Sequence, residues 1–523
     1  MRLFTILLFV CTTVTLNAQV LFPGYHHLNE YYHLLRMKNP ELIDPITFHP
    51  SIIDAYASDS TLRWDLWDGK FDISKKGDDY IEVLDPYAKF GYSSAFPDSY
   101  NDGSVWEGKG FNSSLNFGFT GKKGMLSFTF APVVYTAQNK DFYIPTSTFT
   151  KSEFSYPFER KIDWVVRYGD QSINQFNLGQ SEVRLTYKKA TIGISTQSMI
   201  WGPAQVSPVV MSNNAAGIPH FDIGTAVPVD TKIGKIEFRT FWGLMDESDY
   251  FDEDDSNDQR YLTGAIFGYE PSFVEGLSIG INRVLYRDMF DGNFKLVDAF
   301  AALWGKINAP QANINDEYDQ MMSLMVRWKF KEHGFDSYIE FARNDYPGVI
   351  VDFFENPERT RGVTMGIVKT FDLKNDNILR IVFEHTKLNR LKLSSIVSGH
   401  APYYIHSVVE NGYTNNGQIV GSYIGPGSNA NHIKVQYFTS NGRVAFTIDR
   451  VRFNDDYLTD NFAPAFSQPN DARFRLGLDY LRFVGDFSID ATINSGYRRN
   501  WYYEPDRDVR NLTLSLKVGY LLK

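Results

Sequence analysis

The densest cluster of ligand-type side chains in this 523-residue chain is Asp252-Glu253-Asp254-Asp255-Ser256-Asn257-Asp258. Crowded carboxylates suit a hard divalent cation. However, the run lacks the central glycine and closing glutamate of an EF-hand loop, so it reads as a solvated loop tip. The ten histidines carry no zinc spacing: His26 and His27 are neighbours, His333, His385, His400, His406 and His432 are scattered, and no His-Glu-x-x-His occurs. Neither a metal nor another cofactor is expected. A serine nucleophile needs a histidine base in reach. His406-Ser407 and Ser398-Gly399-His400 are adjacent only along the chain, and no G-x-S-x-G elbow is present. A glycosidase needs two flanking carboxylates, and 62 acidic residues would let any pair be nominated. The chain is therefore expected not to be an enzyme.

Two other patterns suit binding. Tyr403, Tyr404, Tyr413 and Tyr423 are interleaved with Asn411, Asn415, Asn416 and Gln418. Aromatic faces stack on sugar rings and amides bond hydroxyls, so Tyr404, Tyr413, Asn415, Asn416 and Tyr423 are candidate glycan contacts, although an ordinary tyrosine-rich loop would look the same. The second pattern is Ala190 to Phe221, which contains no Asp, Glu, Lys or Arg. Its core, WGPAQVSPVVMSNNAAGIPH, spans Trp201 to His220 and cannot be a membrane helix, because Gly202, Pro203, Pro208, Gly217 and Pro219 interrupt it. Irregular backbone has no partners in hydrocarbon, so this loop must lie in a lumen or at its mouth. Trp201, Gly202, Pro203, Ser207, Pro208, Ser212, Asn213, Asn214, Pro219 and His220 are its candidate residues. A folded-in constriction is the favoured role, and glycan contact the lesser one.

The elements that position these loops are strands. From about Tyr87 onward the apolar period is two. Leu512, Leu514, Leu516, Val518, Tyr520 and Leu522 fall on one face, and so do Phe474, Leu476, Leu478 and Tyr480; Val444, Phe446 and Ile448; Leu324, Val326, Trp328 and Phe330; and Phe111, Leu115, Phe117 and Phe119. Runs of about ten residues match a tilted membrane strand. Tight links such as Thr120-Gly121-Lys122-Lys123-Gly124 and Ser440-Asn441-Gly442 alternate with long loops. Trp106, Trp242, Tyr286, Trp501, Tyr502 and Tyr503 sit at strand ends and read as interfacial girdles. Aromatics reach 15% while mean hydropathy is only -0.30, as expected when half of every strand faces water. The expected fold is all-β, a transmembrane antiparallel barrel of about 18 strands; a soluble sandwich is the alternative. Arg473, Arg475, Asp479, Arg443, Asp449, Arg327 and Lys329 would face inward, either bracing one another or lining a polar path for a solute.

At the N-terminus, Met1 to Ala18 reads as a signal peptide cleaved after Ala18. It contains the only cysteine, Cys11, and Val10 before it is a poor match to a lipoprotein site. Residues 19–80 are expected to be a helical periplasmic segment, with Leu28, Tyr31, Tyr32 and Leu35 on one stripe and a second short helix within Ile52 to Trp67. The segment would plug the barrel or hang below it. The barrel itself would span 81–523. A net charge of -10 disfavours nucleic acid as a partner.

The stretch W-G-P-x-x-x-S-P-x-x-x-S-N-N-A-x-G-x-P-H at Trp201 to His220 resembles the signature region of the capsule-assembly Wzi family. Phe221-Asp222-Ile223-Gly224-Thr225, Pro228-Val229, Gly234-Lys235-Ile236-Glu237, Asn282-Arg283-Val284-Leu285-Tyr286 and Tyr423-Ile424-Gly425-Pro426-Gly427-Ser428 are similar to its later segments, in the same order. The resemblance implies a monomeric outer-membrane barrel with a small helical bundle at the periplasmic end. It implies a non-catalytic lectin that binds capsular or extracellular polysaccharide and helps attach it to the cell surface. A porin-like or glycan-uptake barrel is the alternative. The chain departs from the pattern by ending Tyr520-Leu521-Leu522-Lys523 rather than on an aromatic residue. Asn17-Ala18-Gln19 is similar to signal-peptide ends of Bacteroidetes-type bacteria.

Overall fold

The computed structural model describes residues 23, 26–49, 62–70, 77, 79–150, 152–254, 257–289, 299–304, 318–344, 360–390, 402–461 and 469–522. The expected signal peptide with Cys11, the start of the expected second helix, Asp255 and Ser256 of the acidic run, and Ser398 and His400 lie outside these residues.

Alternation decides the fold because of which face is covered. On strand Ala472–Val484, Phe474, Leu476, Leu478 and Tyr480 are 45–52% exposed, while Arg473 and Arg475 are 5–6% exposed. The same inversion holds for Val444, Phe446 and Ile448 against Arg443 and Asp449, and for Leu324 and Trp328 against Arg327 and Lys329. A soluble sandwich would bury the apolar face. Here the apolar face points out and the polar face points in, which is the barrel arrangement. No helix among the described residues is long and apolar enough to cross a membrane.

Each crossing pairs antiparallel with the next. The early ones are split. Asp79–Val83 and Tyr87–Ser93 face Phe119–Lys123 and Gly110–Asn116; these face Leu126–Phe130 and Val133–Ala137, which in turn face Glu182–Tyr187 and Ile173–Asn177. Pro86, Pro132 and Gly179 lie in the breaks. Proline has no N–H for the ladder, and Gly179 has φ +60 with Ala131 O only 2.3 Å from where a Cβ would stand. The ladder continues through Ala190–Ser195, His220–Thr225, Gly234–Asp246, Gln259–Pro271, Leu277–Asp288, Asp319–Phe330, Phe335–Asn344, Arg361–Asp372, Ile378–Lys387, Asn429–Thr439, Gly442–Arg452, Ala472–Val484, Phe487–Arg499 and Val509–Tyr520. The last strand pairs back onto Tyr87–Ser93 and closes the barrel. The wall begins at Asp79, slightly before the boundary expected at residue 81.

Helix α1, His26–Lys38, lies inside the barrel rather than below it. Leu28, Tyr31, Tyr32 and Leu35 are buried as the stripe required, and so are Leu34, His27, His33 and Arg36. A helix buried all round needs walls on every side, and the inward faces of the strands supply them. Lys38 pairs with Asp372 at one tight turn, and Trp67 Nε1 donates to Thr439 O at another, 3.0 Å away. Thus α1 occupies the tight-turn end. Of the range expected to hold a second helix only Leu62–Trp67 is described, and Leu62–Lys70 forms turns.

Two sequence readings are corrected. First, the sequence suggests one strand from Ala190 to Ile200, ended by Trp201-Gly202-Pro203 because proline cannot donate to a ladder, but the wall strand stops at Ser195. Ile200–Trp201 pairs instead with Phe48–His49 inside the barrel. Second, most of the expected girdle is internal. Tyr286 is fully buried against Tyr413, with ring centroids 5.2 Å apart, and Trp501, Tyr502 and Tyr503 fold as a buried turn at the long-loop end. A bulky aromatic at a strand end serves equally well as the lid of a filled lumen, and composition does not separate the two uses.

Candidate functional site

The lumen is filled from both ends by different means. At the tight-turn end the inward charges grip α1 and the segment after it. His33 Nε2 is 3.1 Å from Asp336, which also takes Arg327 at 2.6 Å. Lys434 meets Glu30 at 2.7 Å, and Arg443 also pairs with Glu30. Lys329 reaches Asp44 at 2.6 Å, and His27 lies 2.9 Å from Asp490. Burial drives the His33 pKa down to about 3, and it lowers that of His27 too. His33 is therefore neutral, and its Nε2 accepts from Arg327 Nη2 at 2.6 Å. Every charged residue expected to face inward has an ionic partner: Arg475 holds Asp449 at 2.5 Å, Arg473 holds Asp98, and Asp479 lies 3.8 Å from Lys434.

At the long-loop end the filling is the uncharged stretch. The chain leaves the wall after Ser195, crosses the lumen, and rejoins the wall at His220. Its buried backbone N–H groups must find acceptors, and inward glutamates supply them. Glu384 accepts from the amides of Gln205, Val206 and Ser207 at 2.7, 3.2 and 2.7 Å and from Tyr338 Oη at 2.6 Å. Glu340 takes Val209 N at 3.1 Å. Glu237 takes Ile46 N, Thr47 N and Thr47 Oγ1 at 2.8–3.0 Å, and Gly202 N donates to Thr47 O at 2.7 Å. Charge-assisted bonds of this kind are the strong ones. Trp201 is buried edge-on to Phe241, with centroids 5.5 Å apart. Gly202 has φ +91, and Gly217 passes so close to Thr196 O that a Cβ would stand 1.9 Å from it.

The candidate loop residues are accounted for by protein partners. Ser212 Oγ donates to Gly421 O at 2.6 Å, Asn213 Nδ2 to Asn101 O at 3.0 Å, and Asn214 Nδ2 to Ile419 O at 2.9 Å. Ser207 O accepts from Thr364 Oγ1, and His220 Nδ1 lies 2.6 Å from Ile218 O. Pro203 and Pro208 are buried, while Pro219 is exposed. The tyrosines meant to face sugar are partly misassigned. Tyr404 and Tyr413 are fully buried, and Tyr404 Oη bridges the layers by donating to Val209 O at 2.7 Å and accepting from Ser422 N at 2.9 Å. Tyr423 stacks on Tyr100 with centroids 4.2 Å apart. Asn415 and Asn416 do reach the mouth.

There they border a cavity of about 560 Å³. One wall is Ile173–Asn177 with Gln171; opposite stand Asn415, Asn416 and Gln418, with Glu247 and Tyr250 beside them. Trp106, Tyr135, Tyr168 and Tyr250 present rings, Trp106 lying 5.0 Å and Tyr250 5.8 Å from Tyr168. Tyr168 Oη donates to Asn416 O at 2.5 Å and accepts from Gln418 Nε2 at 2.9 Å, which fixes the ring. Because the chain dives inward after Ser195, strand Ile173–Asn177 pairs on one edge only among the described residues. The cavity therefore opens beside a free strand edge. Glu247 is pushed up to about 8, first by burial and then by Asp252 and Asp163, so it enters neutral solution protonated. Amides and rings, with Glu247 and the exposed Asp249 as the bordering carboxylates, match polyhydroxylated ligands better than anions.

Sequence reading missed Glu237, Glu340 and Glu384. Their signal was present: each interrupts an apolar run at an inward-facing strand position, and an inward carboxylate beside an uncharged loop implies backbone N–H partners. Tyr168 and the Gln171–Asn177 edge carried no such signal.

Comparison with known proteins fits this architecture. Residues 92–509 match the family described as Capsule assembly protein Wzi. Among solved structures, Escherichia coli Wzi superposes with a TM-score of 0.58 at 12% identity, over 84% of this chain and 85% of that one. It is described as an outer membrane protein involved in group 1 capsule assembly and as a carbohydrate-binding β-barrel. Pseudomonas aeruginosa OpdL (TM-score 0.41, 10% identity, 85% of this chain and 99% of that one) and the outer membrane protein OprD of the same organism (0.40, 10%, 84% and 93%) align more loosely. No curated protein matches the chain. The family match, running from the end of strand segment Tyr87–Ser93 to the start of the last strand Val509–Tyr520, places this chain in the Wzi capsule assembly family.

Proposed function

We propose that the protein is a non-catalytic lectin of the outer membrane that binds capsular or extracellular polysaccharide at its long-loop mouth and helps attach it to the cell surface. The observation that carries this reading is the mouth cavity itself: rings of Trp106, Tyr135, Tyr168 and Tyr250 interleaved with amides, open above a filled lumen. Carbohydrate binding by the similar E. coli barrel supports it. In this reading residues 1–18 are removed on export, the exposed apolar face meets outer-membrane lipid, and α1 lies at the periplasmic end. The barrel acts as a monomer of eighteen crossings, each pair of segments split by a break counting as one. Glycan contact then belongs to the cavity rim, including Asn415 and Asn416, and the Trp201–His220 loop acts as its floor.

The test is deletion of the protein from its source cells. Polymer synthesis should continue while retention of polymer on the cells falls; unchanged retention would contradict the proposal. A porin-like role makes the opposite demand on the lumen. Purified protein in a planar bilayer should then show steady conductance, whereas a lumen closed by α1 and by the uncharged loop should show almost none.

A further inference from the structure

A second, smaller cavity adjoins the first through Val105, Trp106 and Gln418. Its volume is about 150 Å³, and Phe96, Phe142, Tyr156, Trp164, Trp501 and Tyr502 give it aromatic walls. At its edge is Arg473, 6% exposed. Arg473 Nη1 donates to Asp98, but Nε and Nη2 find no acceptor among the described residues. A buried charged donor left unpaired is costly, so its persistence calls for an explanation.

Three other inward arginines show what that edge of a guanidinium can hold. Arg327 offers Nε and Nη2 to Asp336 at 3.0–3.1 and 2.6 Å, Arg475 offers them to Asp449 at 2.9 and 2.5 Å, and Arg498 offers them to the two oxygens of Asp471 at 2.7 and 2.6 Å. In each case the side-on edge takes a carboxylate, the geometry the planar fork favours. The carboxylates bordering the cavity are already engaged. Asp98 has Arg473 on one oxygen and Arg475 4.0 Å from the other, and Asp102 takes Lys89 at 3.0 Å. Arg498, beside Arg473 and packed 4.4 Å from the Phe453 ring centroid, is committed to Asp471. Asn101 Oδ1, also on this wall, is a buried acceptor without a described donor.

We infer that this cavity takes a carboxylate-bearing sugar unit of an acidic polysaccharide, the carboxylate on the Nε–Nη2 edge of Arg473 and the ring against the aromatic walls. A hydroxyl of the same unit would donate to Asn101 Oδ1. This rests on the lectin reading and narrows it: the wide cavity takes neutral, hydroxyl-rich stretches of the chain, and the narrow one reads the acidic unit. Burial of the fork makes the discrimination sharp, because a neutral sugar leaves the charge unpaired.

The test uses the full-length protein in detergent with an oligogalacturonate and the same oligomer after carboxyl reduction, alongside polysaccharide from the source cells. Wild type should prefer the uronate by on the order of tenfold or more. Arg473→Gln should abolish that preference. Arg473→Lys keeps a cation for Asp98, guarding the fold, and should also lose it, because the fork is gone. Equal affinity of wild type for both oligomers, or a preference surviving in both variants, overturns the inference. So does binding of the source polysaccharide with no binding of the uronate. If no glycan binds to folded protein, the lectin reading itself fails.

Discussion

The two fillings of the lumen solve one problem by opposite means. At the tight-turn end a regular helix has its own backbone bonds satisfied, so it is held through its side chains: Glu30 pairs with Lys434 and Arg443, Lys38 pairs with Asp372, and neutral His33 accepts from Arg327. At the mouth an irregular loop brings unsatisfied amides, and it is held through its backbone by Glu384 and Glu340, and by Thr47 O, whose own residue Glu237 fixes. The first filling needs charge on the plug. The second needs a plug without charge, because any Lys, Arg, Asp or Glu in the loop would compete for the same buried carboxylates and amides. That accounts for a 32-residue uncharged run in a chain where 22% of residues are charged.

The largest expected effect separates them at the helix end. Asp336→Ala leaves Arg327 buried without its carboxylate and should cost about 3–5 kcal/mol, read as unfolding in detergent. At the mouth, Glu384→Ala orphans three amides. It should cost on the order of 3 kcal/mol and raise bilayer conductance above that of wild type, while Glu384→Gln, which keeps one acceptor oxygen, should lose less. Equal losses for Gln and Ala would mean that the loop is held by its apolar contacts and not by this carboxylate. Tyr404→Phe removes the hydroxyl that joins Val209 O to Ser422 N and should cost about 1–2 kcal/mol.

The pH profiles should diverge as well. His33 is neutral in the fold, with a pKa near 3 against an ordinary value of 6.5. Unfolded chain then binds more protons between those values, so the helix end loses stability as pH falls from about 6.5 toward 3. Glu247 and Glu159 sit near 8 and 7, both raised chiefly by burial, from an ordinary 4.5. There the folded chain binds more protons, so the mouth loses stability as pH rises from about 4.5 through those values. Hydrogen exchange should show α1 loosening in acid and the loops around Glu247 loosening in base, and Glu247→Gln should flatten the alkaline part. The smallest effect is at the rim of the lower plug: Lys38→Ala breaks an ion pair with the well-exposed Asp372 and should cost under about 0.5 kcal/mol.

The wall was legible in the sequence and the interior only partly so. Period-two runs such as Leu512 to Tyr520 fix both the strand and its outward face, since one phase is apolar and the other polar. The helix stripe Leu28, Tyr31, Tyr32 and Leu35 was equally plain, but His27 and His33, which also lie buried, gave no sign that the helix is enclosed all round. What periodicity cannot give is where an aperiodic segment goes. The Trp201–His220 loop could be excluded from hydrocarbon by its backbone, yet its partners, Asn101, Thr364 and Gly421, lie far away in sequence. Tyr404 and Tyr413 illustrate the same limit: a tyrosine among asparagines reads as a sugar platform until packing shows it to be buried in the plug.

The account turns on the mouth being a glycan site above a closed lumen. The most direct measurement is titration of purified, folded protein with polysaccharide from its source cells, for wild type and for Trp106→Ala, whose ring borders both cavities. The account predicts saturable binding by wild type and a loss on the order of tenfold in the variant. Absence of binding by folded wild type, or full affinity in the variant, would contradict it.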